Sequence, residues 1–82
     1  MIPLYGFVEG DTLGILVLAY ETETVAELAS KLQDAASVRV ARRGRVELLH
    51  EGRVLESRCP IAAAGIEPLD RIDLRVVHDM PK

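Results

Sequence analysis

The strict alternation Arg71-Ile72-Asp73-Leu74-Arg75-Val76 constrains this chain more than any other feature. Ile72, Leu74 and Val76 fall on one side and Arg71, Asp73 and Arg75 on the other, the period of a strand with one buried and one wet face. Such a strand needs neighbours along its edges and a layer over its apolar face. The rest of an 82-residue chain must supply both. That length allows one domain, expected over residues 1–78, with 79–82 as a mobile tail.

The neighbours are visible upstream. In residues 2–8, Ile2, Leu4, Gly6 and Val8 alternate with Tyr5 and Phe7, and Pro3 lies near the strand start, where a missing N–H is tolerated. Glu9-Gly10-Asp11 is a turn signal. Thr12 to Tyr20 is nearly continuous in Leu, Ile and Val, which predicts a strand buried on both faces and a hairpin with the first. Val46 to His50 and the short Val54-Leu55 read as further strands, turned at Glu51-Gly52. The first and last strands are expected to pair at the sheet centre.

The covering layer is one helix. Thr24-Val25-Ala26-Glu27 fits a capping box. Val25, Leu28, Ala29, Leu32, Ala35 and Ala36 recur at helical spacing, with Glu27, Ser30, Lys31 and Asp34 facing away, for about three turns ending near Ala36-Ser37. Cys59-Pro60 opens a short helical turn that Gly65 ends in a left-handed conformation. Strand, strand, helix, strand, short strand, turn, strand is an α+β layout with a mixed sheet on one amphipathic helix. Aromatic residues are 4% of the sequence, with no Trp, so the core is expected to be aliphatic.

Charge is unevenly distributed. Residues 1–37 carry Glu9, Asp11, Glu21, Glu23, Glu27 and Asp34 against Lys31 alone, whereas Arg39, Arg42, Arg43 and Arg45 crowd the middle. Arg makes planar, bidentate contacts to carboxylates and phosphates. The cluster reads either as a solvated loop or as a docking patch for an acidic partner. Nucleic acid is not expected: the net charge is −3 and no aromatic side chain interleaves with these Arg. Nor is a membrane: the longest apolar run, Ile15 to Tyr20, is six residues, against about 20 needed to cross a bilayer. With one Cys and no secretory signal, a reducing, cytoplasmic location is expected.

Catalytic patterns are sparse. His50 and His78 are the only imidazoles, expected as a strand-end residue with a wet ring and a tail residue. With Cys59 they have no metal-ligand spacing. Cys59 reads either as a thiol activated at a helix start or as a buried, inert one. Glu21/Glu23 and Asp70/Asp73 fall at turns and on a wet strand face, where solvation is the default. No phosphate loop, nucleophile elbow or dinucleotide fingerprint is present. No catalytic, cofactor or metal residue is assigned, and no enzyme activity is expected of this chain alone.

The stretch Leu48-Leu49-His50-Glu51-Gly52-Arg53-Val54-Leu55-Glu56, continued through Ile61, Gly65-Ile66 and Ile72-Asp73-Leu74-Arg75-Val76, resembles the second half of ubiquitin-like proteins and implies a β-grasp. Those that are conjugated end in Gly-Gly. This chain ends Asp79-Met80-Pro81-Lys82, so covalent conjugation through the C-terminus is not expected.

A fuller similarity rests on Ile2-Pro3-Leu4, Phe7-Val8-Glu9, Asp11, Val25-Ala26-Glu27, the Arg-rich Val38 to Arg45, and Ala63-Ala64-Gly65-Ile66-Glu67-Pro68 before Ile72-Asp73. These residues resemble the toluene-4-monooxygenase system protein B family, the small gamma subunits of bacterial diiron aromatic-ring hydroxylases. The resemblance implies a non-catalytic subunit packed with alpha and beta subunits, the diiron centre lying in the large alpha subunit and no cofactor in this chain. Arg39, Arg42, Arg43 and Arg45, with Arg71 and Arg75, are the candidate partner contacts. A second resemblance, through Gly65, Ile66, Asp70 and Arg71, is to the ubiquitin-like adaptors of bacterial type VII secretion systems.

Overall fold

The last strand of the chain pairs with the first. In the computed structural model, which describes residues 1–41 and 44–77, β1 (Ile2–Val8) and β5 (Arg71–Val76) run parallel, with Tyr5 opposite Arg71 and Val8 opposite Leu74. Arg42, Arg43, His78 and the tail 79–82 lie outside the described residues. β2 (Gly14–Ala19) is antiparallel to β1, and β3 (Val46–His50) is antiparallel to both β5 and the two-residue β4 (Arg53–Val54). The sheet order is β2-β1-β5-β3-β4. The α-helix α1 (Val25–Ala36) crosses one face of this mixed sheet, the α+β layout expected from the pattern and the β-grasp that the ubiquitin-like resemblance implies.

The start of α1 is closed entirely within the chain. The Thr24 hydroxyl accepts from the Glu27 N–H while the Glu27 carboxylate accepts from the Thr24 N–H. The N–H groups of Val25 and Ala26 donate to the carbonyls of Cys59 and Ser57, both at 2.9 Å. A helix leaves its first four N–H groups without partners inside the helix, and here those of Thr24, Val25, Ala26 and Glu27 each find one, the helical ladder beginning where the Leu28 N–H donates to the Thr24 carbonyl. A Thr cap of this kind contributes about 1 kcal/mol.

The core is aliphatic, as expected. Leu4, Leu28, Leu32, Leu48, Ile61 and Ile72 are its largest fully buried side chains, each stabilising the fold by roughly 1.5–3 kcal/mol relative to exposure. Ile61 comes from a 3-10 turn, Ile61–Ala63, whose N-cap is Pro60. Gly65 ends the turn at φ 77°, and Glu51 and Gly52 take φ of 54° and 79° between β3 and β4. Leu69 also has a left-handed φ of 69°, held where its N–H donates to the Pro3 carbonyl.

Three sequence expectations are corrected. β2 is buried on one face only: α1 covers one side of the sheet, and Leu16 and Leu18 point away from it. On α1, Ala35 is exposed and Gln33 takes a buried position, because the helix is rotated slightly from the pattern's centre. His50 is not wet: it is 3% exposed, drawn inward with Leu48 on the core face of β3.

Candidate functional site

Among the described residues, the candidate arginines Arg39, Arg71 and Arg75 are engaged within the chain. Arg39 follows α1 and reaches back to the β1–β2 turn, where its Nε donates to both Asp11 carboxylate oxygens at 3.1 and 2.9 Å. The Asp11 side chain is only 3% exposed. This guanidinium holds its carboxyl below the usual aspartate value, helped by the Leu13 N–H. The pair pins the hairpin turn to the chain leaving the helix, a structural task that spacing alone did not reveal.

Arg71 and Arg75 stand on the outer face of β5. Arg71 donates from Nε and Nη2 to Asp73, and its guanidinium carbon lies 4.2 Å from the centre of the Phe7 ring. Arg75 donates from Nε to Glu47 across the β3–β5 pair at 2.8 Å. Both line a groove of about 420 Å³ with Phe7, Asp11 and Leu49. Arg45 is exposed just before β3, and its carbonyl accepts from the Val77 N–H. Arg71 and Arg75 therefore share one groove with Asp11, the carboxylate that Arg39 bonds, while Arg42 and Arg43 fall outside the described residues.

A different surface escaped the charge pattern. Tyr5, Leu16 and Leu18 are 46%, 60% and 46% exposed on the outer face of the β1–β2 hairpin, with Tyr5 opposite Leu16 and Pro3 opposite Leu18. Phe7 extends the row: its ring lies so close over Gly14 that a Cβ there would stand 2.9 Å from it. Single exposed apolar residues are ordinary, but a contiguous row marks an interaction surface. The signal was present in the apolar run of β2, where it read as burial within the chain.

The remaining titratable groups build the fold. The Nε2 of His50 donates to Asp70 at 2.8 Å, and Asp70 also accepts from the Glu67 N–H at 3.0 Å. That N–H first, and His50 second, hold the Asp70 carboxyl below its ordinary value. The pair ties the end of β3 to the loop entering β5, so Asp70 is not simply solvated. Glu23, not left to solvent either, accepts from Lys31 at 2.9 Å and from the Tyr20 N–H at 2.7 Å. Cys59 is half-buried, its thiol directed to the Pro60 carbonyl.

Among the described residues, no three His, Cys, Asp or Glu side chains converge as a metal site would require. His50 with Asp70 supplies two donors that are already bonded to each other, a set that does not fit a diiron centre, which takes carboxylates and His from several helices. No helix among the described residues is long and apolar enough to cross a membrane.

Comparisons with known proteins locate this arrangement. Over 89% of the chain, it superposes on 94% of a chain from a toluene 4-monooxygenase HD complex with the inhibitor 4-bromobenzoate, at 23% identity and a TM-score of 0.82. A ubiquitin from Caldiarchaeum subterraneum matches at 13% identity and a TM-score of 0.75 over 99% of this chain and 98% of that one. A chain from a structure on molecular mimicry of SUMO in DNA repair matches at 18% and 0.74, covering 89% and 88%. At such identities these likenesses establish the ubiquitin-like β-grasp fold. No curated protein matches the chain significantly. The family model for toluene-4-monooxygenase system protein B (TmoB) matches residues 1–76, and the chain belongs to that family.

Proposed function

We propose that this chain is the small, non-catalytic gamma subunit of a multicomponent toluene or related aromatic monooxygenase hydroxylase, working in the cytoplasm. Its task is to pack against the large diiron-bearing alpha subunit, in an assembly that also contains a beta subunit. The observation that carries the reading is the family match across residues 1–76. The chemistry of the chain is consistent with it: the polar side chains described above are spent on closing turns and fastening strands, and what remains is surface. In this reading the chain carries no cofactor and the iron belongs to the alpha subunit. Arg45, Arg71 and Arg75, with Arg42 and Arg43 on the neighbouring segment, are the candidates for the polar edge of the contact, and Arg39 supports it through Asp11.

The secretion-adaptor resemblance has a simpler origin in the fold. Gly65 supplies a left-handed turn, Ile66 is buried, Asp70 holds His50, and Arg71 lies over Phe7. These are requirements of this β-grasp and specify no secretion partner.

The test is co-expression of a tagged form of this chain with the alpha and beta subunits. Retention of an iron-containing alpha subunit on the tag is the expected result. Recovery of the tagged chain alone, with alpha and beta soluble in the flow-through, would overturn it.

A further inference from the structure

We infer that the apolar outer face of the β1–β2 hairpin, centred on Tyr5, Leu16 and Leu18, is the surface seated against the large hydroxylase subunit, and that it meets an uncharged, apolar patch there. This rests on the subunit reading above and names its contact surface.

The hairpin's outer face is free of charge. The outward positions of β1 are Pro3, Tyr5 and Phe7, and those of β2 are Gly14, Leu16 and Leu18. None carries a charge. Where charge begins, on the adjoining strands, Arg71 is matched by Asp73 and Arg75 by Glu47. A face that is neutral itself and bordered by self-neutralised pairs cannot steer a charged partner. It suits a permanent contact with a desolvated apolar centre and a polar rim. The transient members of a redox system meet instead through complementary charge.

A second copy of the chain is the obvious alternative partner for an edge strand. Pro3 and Tyr5 turn their backbone groups towards Leu69 and Asp70. Directly opposite residues of an antiparallel pair share one hydrogen-bonding state. Leu18 and Leu16, their partners, thus turn theirs to the open edge of the sheet. There the Leu18 carbonyl is already taken: Lys31 Nζ donates to it at 2.7 Å while also bonding Glu23 and lying 5.0 Å from the Tyr20 ring centre. A strand added at this edge would have to displace an ammonium group from the acceptor it needs. Strand addition at this edge is opposed at Leu18, and the face beside it is open to packing.

The face is also held in place before any partner arrives. Phe7 is wedged between Gly14 and the Arg71 guanidinium, and the hairpin turn is fixed by Arg39 and Asp11. A surface already ordered loses little conformational freedom on binding.

The experiment uses the complex co-expressed with the large subunits, comparing the unaltered chain with Leu16→Lys, the double variant Leu16→Thr/Leu18→Thr, and Ala35→Lys on the exposed side of the helix. The unaltered chain and Ala35→Lys should be retained equally, and retention should persist in about 1 M salt, where the screening length is about 3 Å. Both hairpin variants should lose at least roughly tenfold in retained chain, as expected for loss of about 1.4 kcal/mol or more of binding, while keeping the thermal midpoint of the isolated chain. Hydrogen exchange on the unaltered chain gives an independent reading: amides of Gly14–Ala19 should gain protection in the complex. Undiminished retention of the hairpin variants, with no such protection, would overturn the surface and leave the subunit reading intact. Retention that high salt abolishes would point to the Arg cluster instead and overturn the apolar contact. A free chain that dimerises, and that Leu16→Lys renders monomeric without affecting retention, would assign the face to a second copy. Failure of the unaltered chain to bind at all would overturn the subunit reading itself.

Discussion

Leu32 of the helix lies directly on Gly6 of the first strand: a Cβ added at Gly6 would stand 2.6 Å from Leu32 Cδ1. Both residues are buried, Leu32 completely. The missing side chain at Gly6 lets α1 approach β1 beside its parallel partner β5, so this contact sets the spacing between helix and sheet.

Gly6→Ala should therefore destabilise the chain by about 1–3 kcal/mol, the usual cost of overpacking a filled core. For a domain of this size each kcal/mol lowers the thermal midpoint by about 4–8 °C. Circular dichroism melts test this. In a Leu32→Ala background the same substitution should cost clearly less, since the two sites share one space. Equal costs in both backgrounds would contradict the packing account.

Stability should fall in acid. Arg39 lowers the Asp11 carboxyl; for Asp70 the Glu67 N–H does so first and His50 second. Partial burial opposes the effect at Glu23, but the Lys31 and Tyr20 contacts outweigh it. A carboxyl with a lower folded than unfolded pKa makes the unfolded chain the stronger proton binder in mild acid. Its contribution is complete above the ordinary values of 3.8 for Asp and 4.5 for Glu and is lost as pH falls through the folded values. The urea midpoint should hold from about pH 7 to 5 and then decline below about pH 4.5. Asp70→Asn should make the decline shallower, and a midpoint rising into acid would contradict the assignment.

His50 gives a test of its own. Its Nε2 is bonded to Asp70, but its Nδ1 is buried and has no hydrogen-bond partner among the described residues. His50→Ala should lower the thermal midpoint by several degrees, through a cavity and the lost tie between β3 and the loop before β5. His50→Leu should be milder, because it fills the space and removes an unsatisfied polar atom. Equal effects of the two variants would show that the Asp70 bond, and not the filling of the site, dominates.

Local pattern revealed much of this fold. The alternation in β1 and β5, the Thr24–Glu27 box and the turns at Glu51-Gly52 and Gly65 are set by residues within a few positions of one another, where one side chain or one φ angle decides the outcome. Long-range partners were not legible. His50 and Asp70 are 20 residues apart and Arg39 and Asp11 are 28 apart, so neither burial nor pairing shows in any short window. The apolar run of β2 was legible as a strand, but a continuous run of Leu, Ile and Val carries no sign that only one face of the sheet is covered. An apolar outward face therefore read as core, while the Arg-rich segment, conspicuous in composition, drew attention as the docking surface.

The central claim is that this chain is a structural member of a larger hydroxylase. Native mass spectrometry of the co-expressed assembly tests it most directly. The account predicts one complex in which the 9.0 kDa chain is present in equal number with the alpha subunit. Release of the complex in high salt should not precede its general dissociation. An alpha–beta assembly of full stability in which the chain is absent, with the chain observed only as a free 9.0 kDa species, would contradict it.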